Sequence, residues 1–585
     1  MCSLGRVAIP APCPEKLWNN GVPMVLLEAF TPDPNPLGKQ WLSALVALLP
    51  ILSMLITLGA LRWKAHWAGL FSWLVALVVA ITAFKMPFGT AISSSVEGFL
   101  YGLFPIVWIL LSAIWMYQVT VISGRFDDLR RTFFLISDDP RVLGILIAFC
   151  FGGLLEALAG FGAPVAIAAA MLVAIGFGKL RAAVTALVAN TVPVAFGAVG
   201  LPVLMAAKTG GLNVTDVAPI TARVCAVLCL VVPFLMLAIM DGRKGVREVW
   251  PFGLFVGIVF GATKIIVGST AVYNLTEIFA AVVTVALAMI FLKVWKPKGG
   301  REAAERIGIP MDEALETEPV SAEAPSTEGL TGHRIFMALV PYILVIVVFS
   351  VAAIPSIKQG LVKADAPMTW PGLSEIMSAS GAPSAHQTFT WPWLSQPGFL
   401  LAIVAILVGL IYRVSIKDIF TELWTNAKKM KFSALTIGAV VALAYVMGDS
   451  GQTLALGLFI AGAGAVYPFL APILGWIGTY VTGSDTSANI LFSQLQASVG
   501  DQIGAGSHLG VAGTKHLLVG AGASGGVVGK MISPQSLTVA ATAIGLAGGE
   551  SVILRKVFKY SLILLVLMCI LVGLMSTPVL GWMVP

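Results

Sequence analysis

Leu154-Leu155-Glu156-Ala157-Leu158-Ala159-Gly160-Phe161-Gly162-Ala163-Pro164-Val165 sets one acid, two glycines and a proline in the middle of an apolar run. The run spans 142–178, too long for a single membrane crossing at roughly 20 residues each, and it is broken where a smooth helix would not be. Its flanks decide its shape. Arg125, Arg130, Arg131 and Arg141 precede it and Lys179 and Arg181 follow it, so the positive-inside rule puts both ends on the cytoplasmic side. A segment that enters and leaves by one face is a re-entrant hairpin, with its tip at 159–164. Two full crossings joined by a very short turn is the competing reading.

The rest of the chain is membrane protein by composition. Of 585 residues, 58% are hydrophobic and 11% charged, and the mean hydropathy is +0.93. Soluble domains run near 45–50% apolar and about 25% charged, so a soluble enzyme is excluded. The 60 glycines and 33 prolines predict breaks inside the membrane. Apolar stretches long enough to span lie at 41–61, 67–84, 99–122, 181–206, 219–240, 249–268, 274–294, 334–354, 396–413, 432–448 and 554–577. The basic loops 62–66, 241–248, 412–431 and 553–560 join 123–141 on the cytoplasmic side. The opposite loops, 85–98, 207–218, 269–273 and 355–395, hold only Lys85, Lys208, Lys358 and Lys363. The net charge of +7 therefore reports membrane orientation and not a nucleic-acid partner.

The same count in the second half gives the mirror image. Region 467–500 begins and ends outside, with its break at Thr482-Gly483-Ser484-Asp485-Thr486-Ser487-Ala488-Asn489, and 505–547 then crosses inward as a broken helix. Two halves of opposed orientation make the inverted repeat of a secondary transporter, with its site near the midplane. The expected fold is an all-α polytopic membrane protein of about 12 transmembrane helices plus two re-entrant hairpins. Its parts are a polar N-terminal segment 1–40, a first half 41–294 with hairpin 142–178, a flexible cytoplasmic linker 295–333, and a second half 334–585 with hairpin 467–500. Segment 1–40 lacks the apolar core of a cleaved signal peptide, which leaves targeting to the first membrane helix. The outside loop 355–395 reads as a passive connection, with a cap over the protein as the alternative.

Broken helices bring bare N–H groups and positive dipole ends into the membrane, where they attract an anion. Gly160, Gly162 and Ala163 offer such groups ahead of Pro164, and Ser484, Asp485, Thr486 or Ser487 can cap the second break. The bland reading of either break is a kink or close packing. Glu156 and Asp485 are the candidates to bind a coupling proton, since a carboxyl removed from water favours its protonated form. Lys530 can meet a substrate carboxylate or serve as a structural ion-pair partner. Lys264 and Arg223 lie near enough to helix ends to snorkel, and Asp449 reads as part of a surface turn. Asn190 and Thr191 beside Pro193, and Ser533, Gln535 and Ser536 beside Pro534, can bond a hydroxyl or carboxylate, or can equally satisfy freed backbone groups.

Enzyme readings fail. Gly522-Ala523-Ser524-Gly525 matches the string of intramembrane serine proteases, but no histidine follows Ser524; the five are His66, His333, His386, His508 and His516. Gly529-Lys530 has Met531 where a P-loop has Ser or Thr, and Ser524 in place of its upstream glycine. The six cysteines show neither metal spacing nor a disulfide framework, so no metal or cofactor is expected.

Four ordered motifs carry a resemblance. Leu155 to Ile167 around the first break, Asn190-Thr191-Val192-Pro193-Val194-Ala195-Phe196-Gly197-Ala198, Thr482 to Asn489, and Gly529-Lys530-Met531-Ile532-Ser533-Pro534-Gln535-Ser536 resemble hallmarks of the bacterial L-lactate permease family, which includes glycolate permeases. The similarity extends from about residue 40 to the C-terminus. It implies proton-coupled uptake of L-lactate, and often D-lactate and glycolate, across the bacterial inner membrane. The departures are the extra N-terminal residues, Ala488 where members commonly carry Ser, and an insertion around 506–516. Joined to the breaks, this reading puts a 2-hydroxymonocarboxylate between the hairpin tips. Backbone N–H groups would hold it with Ser484, Thr486, Ser487 and Asn489, while Asn190, Ser533 and Gln535 reach its hydroxyl and Asp485 or Glu156 carries the proton. The rivals are a sodium-coupled di- or tricarboxylate transporter, which would favour a second buried cation beside Lys530, and an anion channel, which the opposed breaks disfavour.

Overall fold

The structure is a computed structural model that describes residues 30–57, 61, 63–133, 135–159, 162–308, 311, 329–377, 384–546 and 549–585. Gly160, at the first break, lies outside the described residues, as do 1–29 of the N-terminal segment and 312–328 of the linker. Among the described residues, nine helices are long and apolar enough to cross a membrane, or ten when the bent pair Lys179–Ala189 and Val194–Thr209 counts as one span. The one sheet among them is a two-stranded antiparallel pair, Ala366–Thr369 with Thr388–Trp391, in the loop 355–395.

Both hairpin regions are helix, left-handed glycine, helix. Pro140–Ile145, Leu146–Phe151 and Gly152–Ala159 run on as one rod, buried along its whole length. Gly162 (φ +88°) then turns the chain into Ala163–Ala174, which packs back on the rod with Pro164 in its first turn. In the second half Tyr467–Thr482 ends at Gly483 (φ +73°), and Ser484 caps Asp485–Ile503 by accepting from the Ser487 N–H. A side chain at either glycine would meet steric strain in that left-handed conformation. Each hairpin is followed by a broken helix. Lys179–Ala189 and Val194–Thr209 meet at 59°, and Gly510–Lys530 gives way after Met531-Ile532 to Pro534–Ala543, capped by Ser533.

The two halves exchange partners. Asp485–Ile503 from the second hairpin packs on Gly197–Thr209 of the first broken helix, while Ala163–Ala174 from the first hairpin packs on Pro534–Ala543 of the second. All four half-helices begin at a break, so their N-termini share the interior of the molecule.

Three expectations are corrected. The segment 85–98 is not a loop: Phe88–Ile122 is helical from its first residue. Its Ser and Thr content lowers the hydropathy, yet Thr90, Ser94, Ser95 and Glu97 are buried. They are buried because Gly98 and Gly102 let this helix press against Ile416–Asp449; a Cβ on Gly98 would lie 2.9 Å from Ala442 Cα, and one on Gly102 2.8 Å from Gly438 Cα. Small residues at i and i+4 are how membrane helices come close. The linker is ordered at its start, where Gly300–Gly308 buries Ala303 and Ile307 and Arg306 pairs with Asp241 at 2.6 Å. The loop 355–395 is no passive connection: it buries Trp370, Leu373, Ile376 and Phe389, and the Trp370 indole donates to the Ser93 carbonyl at 3.2 Å.

The glycine contact yields a test. Gly102→Ala should lower stability by about 1–3 kcal/mol through overpacking, read as an earlier thermal unfolding transition in detergent. Gly360→Ala, whose Cβ would meet nothing within 4 Å, should leave the transition in place.

Candidate functional site

Glu156 sits three residues before the end of the first rod, with a side chain only 3% exposed. A carboxylate so placed needs a counter-charge, and it has one: Lys530 Nζ donates to Glu156 Oε1 at 2.5 Å. The other oxygen, Oε2, accepts from Asn190 Nδ2 at 3.0 Å. The ammonium arrives at the C-terminal end of Gly510–Lys530, an electrostatically favourable place for a cation. Gly197 makes the room, since a Cβ there would press on Glu156 Oε1 at 3.0 Å.

This pair forms one wall of an interior cavity of about 40 Å³, lined also by Val194, Gly197, Ala198, Leu201 and Pro202 from the first broken helix and by Gly483, Ser484, Asp485 and Thr486 from the second hairpin. The helix N-terminus at Ser484–Asp485 therefore faces the Glu156–Lys530 pair. The opposing backbone is strained. Ala198 (φ +43°), Val199 (φ +57°) and Gly200 (φ +74°) are consecutive left-handed residues, and a β-branched residue there is rare. Lys264 holds this turn from behind. It is fully buried, paired with Glu277, and donates to the Val192 carbonyl at 2.7 Å, so it does not snorkel as expected. Arg223 donates to the Met583 carbonyl.

Asp485 is 3% exposed and accepts from Thr479 Oγ1 at 3.3 Å, while its Oδ2 has no hydrogen-bond partner among the described residues. It lies against Gly526, where a Cβ would fall 1.8 Å from Oδ1. The Gly-x-Ser-Gly string is thus explained as packing. A Cβ on Gly525 would sit 2.0 Å from the Pro472 carbonyl oxygen, and the Ser524 hydroxyl donates to the Gly520 carbonyl at 2.7 Å.

The structure brings some of the expected residues to the cavity and places others elsewhere. Glu156, Lys530, Ser484, Asp485 and Thr486 line it. Asn190 is held by Glu156, Thr191 donates to the Val188 carbonyl at 2.6 Å, and Asn489 donates to the Pro202 carbonyl at 3.2 Å. Ser487 gives its backbone N–H to the Ser484 cap, and Ser533 caps Pro534–Ala543. Gly162 and Ala163 begin the helix packed on Pro534–Ala543, with Gly162 against Val539. Gln535 lines a second, larger cavity of about 680 Å³, with Trp63, His66, Phe432, Thr482 and Glu550 among its walls. Among the described residues, Gly483 alone borders both cavities. Asp449, read as a turn residue, is buried, with Ser94 Oγ donating to its Oδ2 at 2.6 Å. Sequence reasoning gave no site role to Gly197, Ala198 and Glu277; the small pair Gly197-Ala198 after Phe196 was the available signal for the first two.

Comparison with known proteins bears on this arrangement. A family model described as L-lactate permease matches residues 43–579. The L-lactate permease of Bacillus subtilis (strain 168) is 38% identical over 578 residues, covering 95% of this chain and 99% of that protein. The glycolate permease of Escherichia coli (strain K12) is 39% identical over 539 residues, covering 90% and 94%. The L-lactate permease of the same organism is 34% identical over 562 residues, covering 94% and 98%.

The buried pair can be weighed by a double-mutant cycle on thermal unfolding in detergent. Lys530→Met strands the Glu156 charge and should cost about 3–5 kcal/mol. Adding Glu156→Gln should recover most of that loss; additive losses would show that the two side chains do not interact.

Proposed function

The chain belongs to the L-lactate permease family, and from that premise we propose that it carries L-lactate and related 2-hydroxymonocarboxylates such as glycolate across the membrane together with a proton. It is a multi-pass plasma-membrane transporter and not an enzyme. The observation that carries the coupling is the buried Glu156–Lys530 ion pair on the wall of the interior cavity.

Charge balance supplies the mechanism. With no solute, Glu156 and Lys530 neutralise each other. A lactate anion entering alone would add an uncompensated negative charge beside Glu156, and a proton binding Glu156 alone would strand the ammonium. Together they leave the site neutral: the proton takes the Glu156 carboxylate, and Lys530 Nζ turns to the substrate carboxylate. The N-terminus at Ser484–Asp485 adds N–H groups for the anion, and the Ser484 and Thr486 hydroxyls, which line the cavity, would read the 2-hydroxyl. One proton per monocarboxylate follows.

The interior cavity is too small for a hydroxy acid unless its walls part. The larger cavity beyond Gly483 gives them a direction in which to part. Its rim residues Trp63, Phe432 and Glu550 stand beside the basic loops assigned to the cytoplasm, which makes it the inner vestibule. In this reading twelve crossings and two hairpins form inverted halves, and displacement of the Gly483 tip opens the site inward while the outer side stays packed.

Proteoliposomes test the proposal. A pH gradient alone, acid outside, should drive accumulation of labelled L-lactate, and a sodium gradient alone should not; the reverse result would establish the sodium-coupled rival. Glu156→Gln should abolish accumulation above equilibrium while keeping lactate counterflow within a few-fold of wild type. Asp485→Asn losing accumulation while Glu156→Gln keeps it would move the coupling proton to Asp485.

A further inference from the structure

A second cluster, two buried carboxylates and a partly exposed histidine, lies apart from the transport site. Glu97 comes from helix Phe88–Ile122, Asp449 from the last turn of Ile416–Asp449, and His386 from the loop 355–395. One donor atom from each lies within 4.8 Å of the other two. His386 Nδ1 is 2.8 Å from Asp449 Oδ1. Ser94 Oγ fixes the other Asp449 oxygen at 2.6 Å, and the Tyr445 ring stacks on the imidazole with centroids 4.3 Å apart. Glu97 is 3% exposed, and its Oε2 has no hydrogen-bond partner among the described residues. Buried carboxylate oxygens are rarely left so. Nothing in the transport mechanism uses this group.

We propose that Glu97, His386 and Asp449 form a binding site for a divalent transition-metal cation, with Zn²⁺ the best match. The donor set is borderline: one imidazole nitrogen and two carboxylate oxygens suit Zn²⁺ better than Ca²⁺ or Mg²⁺, which take oxygen ligands. Charge agrees, because a dication that displaces the imidazole proton and sits between the two carboxylates leaves a sum of zero. Bonds of about 2.0–2.2 Å need only small side-chain rotations from the present spacing. The surrounding contacts are those of a metal site's outer layer: Ser94 orients the aspartate, and Tyr445 orients the imidazole ring. A bound cation would tie together three segments that meet nowhere in the sequence. It would fasten the loop carrying Trp370 and Phe389 to the ends of two membrane helices.

The test reads metal directly and does not depend on what the protein transports. The purified full chain is stripped with a chelator, dialysed against micromolar ZnCl₂, and assayed for zinc per chain. Wild type should retain one equivalent and unfold at a higher temperature than the stripped protein. His386→Ala, in the loop, should lower zinc affinity about tenfold or more, as should Glu97→Gln, whereas His333→Ala at an exposed position should not. Zinc retained equally by wild type and His386→Ala, or no zinc retained by wild type, would overturn the proposal. Either of those results would leave the lactate reading untouched.

Discussion

An ion pair buried in a membrane protein ties down whatever supplies its two ends. Glu156 and Lys530 are separated by 374 positions in the chain, one in the first hairpin and one at the break of the second broken helix. Neither charge is tolerable without the other, so the pair fixes the two halves against each other. Much of the local structure serves it. Gly197 is bare so that the carboxylate can lie against it, Asn190 occupies the second oxygen, and the helix carrying Lys530 is seated on Tyr467–Thr482 through Gly525, Gly526 and Gly529. In the proposed cycle the bond that holds the two halves is also the one the proton releases.

Backbone polarity imposes a second constraint, and it explains why breaks come in packed pairs. A helix that stops inside the membrane leaves N–H groups that nothing apolar can satisfy. Ser484 and Ser533 each satisfy one with a side-chain oxygen, and Pro164 and Pro534 each remove one outright. Those that remain face inward. The exchange of half-helices between the two halves keeps the irregular backbone away from lipid, and Lys264, fed by Glu277, takes up the Val192 carbonyl at the break that has no such cap.

The breaks, their caps and the acid at Glu156 were legible because each is written within a few consecutive residues. Gly162 and Gly483 were legible for the same reason. What could not be read is which break faces which. Gly162 turns toward Val539, and the cavity is closed instead by Gly197–Pro202, a choice made by packing between halves. Glu97 was hidden by its own neighbours: Ser93, Ser94 and Ser95 lower the hydropathy of a helix whose polar stripe is buried. The Gly98–Gly102 spacing was the signal of that burial. His386 and Asp449 belong to a cluster with no sequence pattern at all, since its members are far apart in the chain.

The position of Gly483 bears on how such a site opens. Gly483 lines both the small cavity and the larger one, and it is a left-handed glycine flanked by a cap and a helix end. A Cβ at this point would fall 2.6 Å from Gln535 Oε1, so the tip and the Pro534–Ala543 helix are in contact without slack. In the proposed cycle a displacement of this tip joins the two cavities. On the opposite side, Gly197–Thr209 and Asp485–Ile503 pack along their lengths, and Asn489 is bonded to the Pro202 carbonyl. Opening that side means separating two helices. The inner and outer barriers therefore differ in kind, and in the proposed cycle the outward step is the one that must reorganise the contact between halves.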